Sequence, residues 1–324
     1  MKENSSTISK KLRLGITLGC PAGVGPEIIL KALTQPFPED LELVILGDEK
    51  LLYQVAEKLS LPRPPSQVVS LSELPYQPGR PTLETASAMV RYIKEGVRLC
   101  LEGKLHGLVT CPISKEALRM AGEAYPGHTE MLAALTKTPK VAMAFYGEKL
   151  SVVLVTIHVA LKEVPSLLSV KRILDVSSLA HDFLRRDLGR HNPKLALAAL
   201  NPHASEGGLF GSEERRILIP AVKEAQRKGI PLSGPYPADS LFYRAVKGDF
   251  DLVVSLYHDQ GLIPFKLLHF EDGVNVTLGL PIVRTSVDHG TAYDIAGQGI
   301  AKEKSLLAAI KLAYRMAKNR LKGL

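Results

Sequence analysis

His158, His203 and His258 each follow an apolar run and fall within a small-residue loop, in LVTIHVAL, LALAALNPHASEGG and DLVVSLYHDQG. A run of four to eight apolar residues rich in Val, Leu and Ala reads as a buried strand. Three such strands in one sheet would bring three imidazoles to one edge. Imidazole is the commonest protein ligand for zinc and similar divalent ions, and three ligands with an open fourth position is the arrangement of a catalytic metal. Any one of these histidines alone would read as an ordinary loop residue. The repetition at the same place in the strand–loop pattern is what points to a metal site.

Four further loops carry groups that could do chemistry. In Gly127-His128-Thr129-Glu130, Thr129 and Glu130 could cap the helix that follows. The alternative is that the Thr129 hydroxyl, the His128 imidazole and the helix-start N–H groups face a phosphate or carboxylate. The stretch from His258 to Lys266 holds a ligand, a proton carrier in Asp259 and a cation in Lys266, which sits in the apolar run LIPFKLL. The loop Gly19-Cys20-Pro21-Ala22-Gly23-Val24-Gly25-Pro26-Glu27 is rich in glycine but is not GxGxxG. It permits a tight turn or close approach to a ligand, and equally a simple strand-to-helix connection. Last, Asp288-His289-Gly290-Thr291-Ala292-Tyr293-Asp294-Ile295-Ala296-Gly297 is long and made of small residues. Such a loop can wrap a flat ligand, and Asp294 could accept hydrogen bonds from ribose hydroxyls.

The elements that must position these loops alternate from end to end. Strands are expected over Leu12–Leu18, Leu43–Leu46, Leu105–Thr110, Lys194–Leu200, Leu252–Leu256 and Val274–Val283. Val141–Tyr146 and Leu150–Thr156 read as a hairpin across Gly147-Glu148. Helices are expected from Pro26 to about Leu33, over Leu83–Leu101, briefly after Ser114, and over Val170–Leu188, Ser212–Arg227 and Lys302–Lys322. The pattern is that of an α/β protein with a largely parallel sheet. The hairpin interrupts it and suggests a second lobe from near residue 130. Pro-rich breaks at Pro62–Pro65 and Pro231–Pro237 are too short for flexible linkers.

A length of 324 residues accommodates two domains, and 45% hydrophobic with 23% charged residues describes an ordinary globular chain. No apolar stretch reaches the roughly eighteen residues needed to span a membrane. The N-terminal MKENSSTISKKLRLG lacks the apolar core of a signal peptide. Cys20, Cys100 and Cys111 have no CxxC spacing, which argues against a disulfide framework or zinc ribbon. The expectation is a cytoplasmic protein. The net charge of +8 is moderate, and its basic pairs lie on helices among apolar residues. They read as solvated helix faces, not a nucleic-acid surface, although a basic active site for an anionic substrate is compatible with them.

Taken in order, GHTE, NPHASEGG, YHDQG and TSVDHGTAYDIAG resemble the 4-hydroxythreonine-4-phosphate dehydrogenase family of vitamin B6 biosynthesis, over about Leu14 to Ala301. The resemblance implies a two-lobed α/β/α fold like that of isocitrate and isopropylmalate dehydrogenases, with the active site in an interdomain cleft. Mapped onto this chain, the outer domain would comprise residues 1–129 with 285–324, and the inner domain 130–284. It implies a homodimer whose metal, one divalent ion of Zn, Mg, Mn or Co, is bound by His158, His203 and His258 and shared between subunits. The implied substrate-binding positions are His128, Thr129, Lys266, Asn275 in GVNVTLGLP and Arg284 in PIVRTS. The cofactor, NAD or NADP, would be held by His289, Gly290, Thr291, Ala292, Asp294 and Ile295. Asp294-Ile295 stands where a Lys-Tyr type pair would favour a 2′-phosphate, so NAD is the expected preference. The implied reaction oxidises C3 of 4-phosphooxy-L-threonine and then releases CO2, leaving 3-amino-2-oxopropyl phosphate. Asp259, Asp239 and Lys266 are candidates to take the hydroxyl proton. One departure is Cys20, where the family usually has an acid.

Three other enzyme readings compete, beside a non-catalytic metal-binding protein, against which so many converging polar loops argue. A sister dehydrogenase acting on 4-phospho-erythronate or 4-phospho-threonate differs only at substrate C2. A metal-dependent hydrolase would not need the DHGTAYDIAG loop. A phosphate-acyl transferase would need neither NAD nor three histidines.

Overall fold

The computed structural model describes residues 11–64 and 67–323. The N-terminal stretch through residue 10, on which the reading of a missing leader rests, and Pro65 of the first Pro-rich break lie outside the described residues. The chain divides into two compact units. One comprises the described residues up to Ala124 together with Thr291–Glu303, and the other comprises Tyr125–Gly290 with the chain from Lys304 onward.

The first unit holds strands β1 (Leu12–Thr17), β2 (Leu41–Gly47), β3 (Val68–Ser70) and β4 (Gly107–Thr110). They pair in parallel, with β1 between β2 and β4 and with β3 outside β2. Leu14, Ile16, Ile45 and Leu46 are fully buried, as expected of strands covered by helices on both faces. The helix Leu83–Leu101 has the expected bounds. It opens on a reciprocal cap in which Thr82 Oγ1 accepts from Thr85 N while Thr82 N donates to Thr85 Oγ1. A further helix, Glu49–Leu59, follows the N-cap Asp48; it is too short and mixed in pattern to have stood out in the sequence.

The second unit continues with β5 (Ala142–Tyr146), β6 (Val152–Leu154), β7 (Leu195–Ala198), β8 (Leu232–Tyr236), β9 (Leu252–Ser255), β10 (Val274–Leu278) and β11 (Arg284–Val287). Their order is β11-β10-β5-β6-β9-β7-β8. The run β6-β9-β7-β8 is parallel, and β11-β10-β5-β6 is antiparallel. Strand pairing in the two units is thus largely parallel, as expected, with an antiparallel run through β11, β10, β5 and β6. The hairpin β5–β6 forms as expected. The single strand expected over Val274–Val283 is two, because Gly279 at φ +91° and Pro281 turn the chain back on itself. The core beneath these strands is built from Phe145, Val152, Leu154, Val253, Leu262 and Phe265, with others.

These units are cut differently from the expected domains. The second begins at Tyr125, not residue 130, and the closing helix Lys304–Leu321 belongs with it. That helix packs on β10 and β11, where Thr285 Oγ1 donates to Ala309 O, and on the segment Phe183–Asp187, whose buried Asp187 pairs with Arg320. Among the described residues, no helix is long and apolar enough to cross a membrane.

Candidate functional site

The three histidine-bearing strands are neighbours. β9 lies between β6 and β7, all three run parallel, and each histidine follows its strand by a few residues at the same C-terminal edge. Ligands of open α/β sheets bind at that edge. His158 and His258 have ring centres 5.7 Å apart, beside a cavity of about 480 Å3 lined also by Ile157, Leu161, Tyr257 and Asp259. His258 opens the helix His258–His269, which corrects the reading of this stretch as a loop. Its Nδ1 is bonded to Asp259 Oδ1 at 2.7 Å, leaving Nε2 as the nitrogen directed elsewhere. Gln260 joins two of the strand ends: Oε1 accepts from Leu256 N and Nε2 donates to Ala199 O, both at 2.7 Å.

His203 stands apart from that pair. It begins a run of five consecutive residues, His203–Gly207, in the left-handed region. Four of them are not glycine, and each such residue costs about 1–2 kcal/mol relative to a right-handed turn. Its ring packs 6.4 Å from that of Phe210. Among the described residues, no three His, Cys, Asp or Glu side chains of one chain are grouped to hold an ion. The expectation that all three imidazoles meet is therefore met, within one chain, by two.

A buried cation lies on the antiparallel strands. Arg284 is 2% exposed and donates from Nη1 to Asn275 Oδ1 and Thr277 Oγ1, both at 2.9 Å. These partners are neutral, and burial pushes the guanidinium down to about 9. His128 lies within its field. Burial, then the Arg284 charge, hold this imidazole well below its ordinary range, so it is neutral at pH 7. Its Nε2 is buried with no hydrogen-bond partner. Thr129 is buried in the first turn of the helix His128–Leu135, whose N-cap has no side-chain bond. The capping role considered for Thr129 and Glu130 is not realised. A buried guanidinium, an orphaned imidazole nitrogen and uncapped helix N–H groups together suit a bound anion.

Lys266 is engaged rather than free. Nζ lies 2.7 Å from Asp288 Oδ2 and donates to Asp288 O at 2.9 Å. Burial raises the Asp288 carboxyl, against the lowering effect of Lys266, His289 and His258. Asp288 was not singled out in the sequence, where it read only as the start of a loop. Gln260 and Thr277 were also passed over, since their roles depend on strands brought together by the fold. Asp239 lies exposed in the first turn of the helix Ala238–Val246, and Asp259 is exposed apart from its bond to His258.

His289 and Gly290 close the second unit, with both exposed and His289 Nδ1 3.0 Å from Gly290 O. The rest of the small-residue loop belongs to the first unit. Thr291 is buried and its carbonyl accepts from Val24 N at 3.0 Å. Ala292 takes φ +44°, and Asp294 is exposed with Ile295 beside it. Glu27, fully buried, accepts from Gly297 N and Ala301 N at 3.0 Å, and Lys31 donates to Gly299 O and Ala301 O. The glycines of the first loop therefore have a structural use. A Cβ on Gly23 would lie 2.9 Å from Thr291 O, and one on Gly25 would strike Leu18 O. Cys20 is buried, its Sγ accepts from Tyr293 Oη at 3.3 Å, and burial raises its thiol.

Comparison with known proteins agrees with this geometry. A family model described as pyridoxal phosphate biosynthetic protein PdxA matches residues 39–313. The chain is 50% identical to a 4-hydroxythreonine-4-phosphate dehydrogenase of Desulfosudis oleivorans, across 94% of this chain and 96% of that one. It is 42% identical to a D-threonate 4-phosphate dehydrogenase of Salmonella typhimurium, across 94% and 98% respectively. The crystal structure of a 4-hydroxythreonine-4-phosphate dehydrogenase from Klebsiella pneumoniae matches with a TM-score of 0.85 at 40% identity, covering 95% of this chain and 100% of that one.

Proposed function

Because the chain belongs to the PdxA family of pyridoxal phosphate biosynthetic proteins, we propose that it is a metal-dependent, NAD(P)-linked oxidoreductase acting on 4-phosphooxy-L-threonine. It oxidises the C3 hydroxyl, and loss of CO2 then leaves 3-amino-2-oxopropyl phosphate. The observation that carries this reading is the imidazole pair at the C-terminal edge of adjacent parallel strands. Two imidazoles on one tetrahedral ion have ring centres about 5 Å apart, since metal–nitrogen bonds are about 2.0–2.1 Å. The 5.7 Å between His158 and His258 fits that requirement.

His158 and His258 hold the ion from one subunit, and His203 of the partner subunit completes the set in a homodimer. Exposed Ile263, Leu267 and Phe270, at helical spacing on the helix that His258 opens, supply an apolar surface for that association. Nitrogen ligands favour Zn or Co, with Mg and Mn as alternatives. When bound, the ion would supply Lewis-acid polarisation of the substrate hydroxyl and stabilise negative charge as CO2 departs. Asp259, bonded to His258 Nδ1, orients the ring and fixes its tautomer, a role that suits it better than proton transfer.

Arg284 with Asn275, Thr129 and His128 binds and orients the anionic substrate. Lys266 Nζ, once it has passed its own proton to Asp288 Oδ2 2.7 Å away, has the lone pair to take the hydroxyl proton. Asp239, exposed at its helix start, is the weaker candidate for that role. His289 to Ile295 hold the cofactor, and Asp294 accepts from a free ribose 2′-hydroxyl, which favours NAD over NADP.

A second reading has a specific observation behind it. The relative named for D-threonate 4-phosphate is 42% identical, so a 4-phospho-threonate or 4-phospho-erythronate substrate uses the same site with a hydroxyl in place of the amine at C2. The test is NADH formation from 4-phosphooxy-L-threonine and from the two phosphorylated sugar acids, before and after chelation. Metal-dependent NADH formation with the amino substrate preferred supports the first reading. Preference for either sugar acid supports the second, and no turnover of any of the three overturns both.

A further inference from the structure

The loop that carries His203 is held by a carboxylate outside the site residues described above. Glu214 is 1% exposed and forms no ion pair among the described residues. Its charge is met by three N–H groups of the preceding loop. Oε1 accepts from Leu200 N at 2.9 Å and Asn201 N at 2.7 Å, and Oε2 accepts from Asn201 Nδ2 at 2.8 Å. The same Asn201 Nδ2 donates to Glu213 Oε2 at 2.9 Å. Space for this clamp depends on Gly211, where a Cβ would lie 2.6 Å from both Asn201 Nδ2 and Glu213 Oε2. Immediately after Asn201 and the stiff Pro202, the chain enters its left-handed run at His203.

A buried carboxylate without a cation is expensive unless its lone pairs are filled. Four successive non-glycine residues in the left-handed region persist only where the surroundings over-determine them. Both features converge on one loop, and just before the clamped residues on the same flank Gln260 ties Ala199 to the strand end that leads to His258. We propose that Glu214 is a positioning residue for the metal: it acts through Asn201 to fix the strained turn that presents His203, and so sets metal affinity without touching metal or substrate. This rests on the reading of His203 as a ligand.

The test is a Co2+ titration of the metal-stripped full-length protein, following the visible d–d absorption, with thermal melting in chelator as the control for folding. Glu214→Gln keeps the volume but puts an NH2 group where Asn201 Nδ2 now donates. Asn201→Ala removes one of the three bonds and leaves the two backbone bonds to Glu214 in place. Both variants are expected to melt cooperatively in chelator yet bind Co2+ at least tenfold more weakly, with an altered absorption envelope. Should Glu214→Gln fail to fold, Asn201→Ala alone carries the test. Wild-type affinity and spectrum in the folded variants would overturn the proposal. His203→Ala is the separating control: if it too leaves Co2+ binding unchanged, the ligand assignment fails; if it abolishes binding while Glu214→Gln does not, only the role of Glu214 fails.

Discussion

Replacing Arg284 with Met separates binding from stability at the proposed anion site. Burial lowers the guanidinium well below its ordinary range, to about 9. At about 1.4 kcal/mol per pH unit, keeping it charged costs on the order of 5 kcal/mol. Its bonds to Asn275 and Thr277 return about 1.5–3 kcal/mol each as bonds to a charged group. In the ligand-free protein the two effects nearly offset, so Arg284→Met should change unfolding free energy by no more than about 2 kcal/mol, or several degrees in Tm. A phosphate or carboxylate in contact with the charge adds about 4 kcal/mol at an effective dielectric of 20, close to a thousandfold in affinity. The variant should therefore fold normally, lose the thermal protection that phosphorylated substrate gives the wild type, and show a KM raised by two to three orders of magnitude. Melting curves in phosphate-free buffer, with and without substrate, read both effects. Equal protection of the two proteins, or a variant that melts tens of degrees lower, would show that Arg284 is a structural cation and refute the reasoning.

Other outcomes follow from the same geometry. His128 resists protonation in the folded state but not in the unfolded chain, so it costs stability as pH falls below 6.5, by about 1.4 kcal/mol per unit; denaturant unfolding at pH 7.5 and 5.5 should show a smaller loss in His128→Gln. Asp288→Asn removes the carboxylate beside Lys266 Nζ and should lower kcat much more than it raises KM, with metal content unchanged in elemental analysis. Asp294→Ala should shift the ratio of kcat/KM values for NAD and NADP toward NADP; a ratio that does not move means that Asp294 does not read the ribose.

What could be read before folding was considered depended on signals carried within single segments. The three histidines stood out because each ends an apolar run, and the fold makes those runs neighbouring parallel strands. Leu83–Leu101 has its expected bounds because its apolar residues recur at helical spacing within one stretch of chain. The helix from His258 was missed because Gly261 and Pro264 oppose helix formation locally. Burial of Leu262 and Phe265 in the core overrides them, and Gly261 is needed where a Cβ would lie 2.9 Å from Ser255 Oγ. Asp288 and Glu214 gave no local signal at all. Their meaning lies in Lys266, 22 positions away, and in backbone N–H groups that only the folded loop turns toward a carboxylate.

The proposed metal site takes its ligands from both subunits of a dimer. Its most direct test mixes two variants, His203→Ala and His258→Ala, each expected to be inactive. Refolding or co-expressing them together forms hybrid dimers. In these, one site draws His158 and His258 from the first variant and His203 from the second, and is intact; the other site lacks two ligands. With random pairing, roughly half the dimers are hybrids with one working site of two, so about a quarter of wild-type metal-dependent NADH formation should return. No recovery from a mixture shown to contain hybrid dimers would contradict the shared site. Full activity of either variant alone would contradict the histidines as ligands.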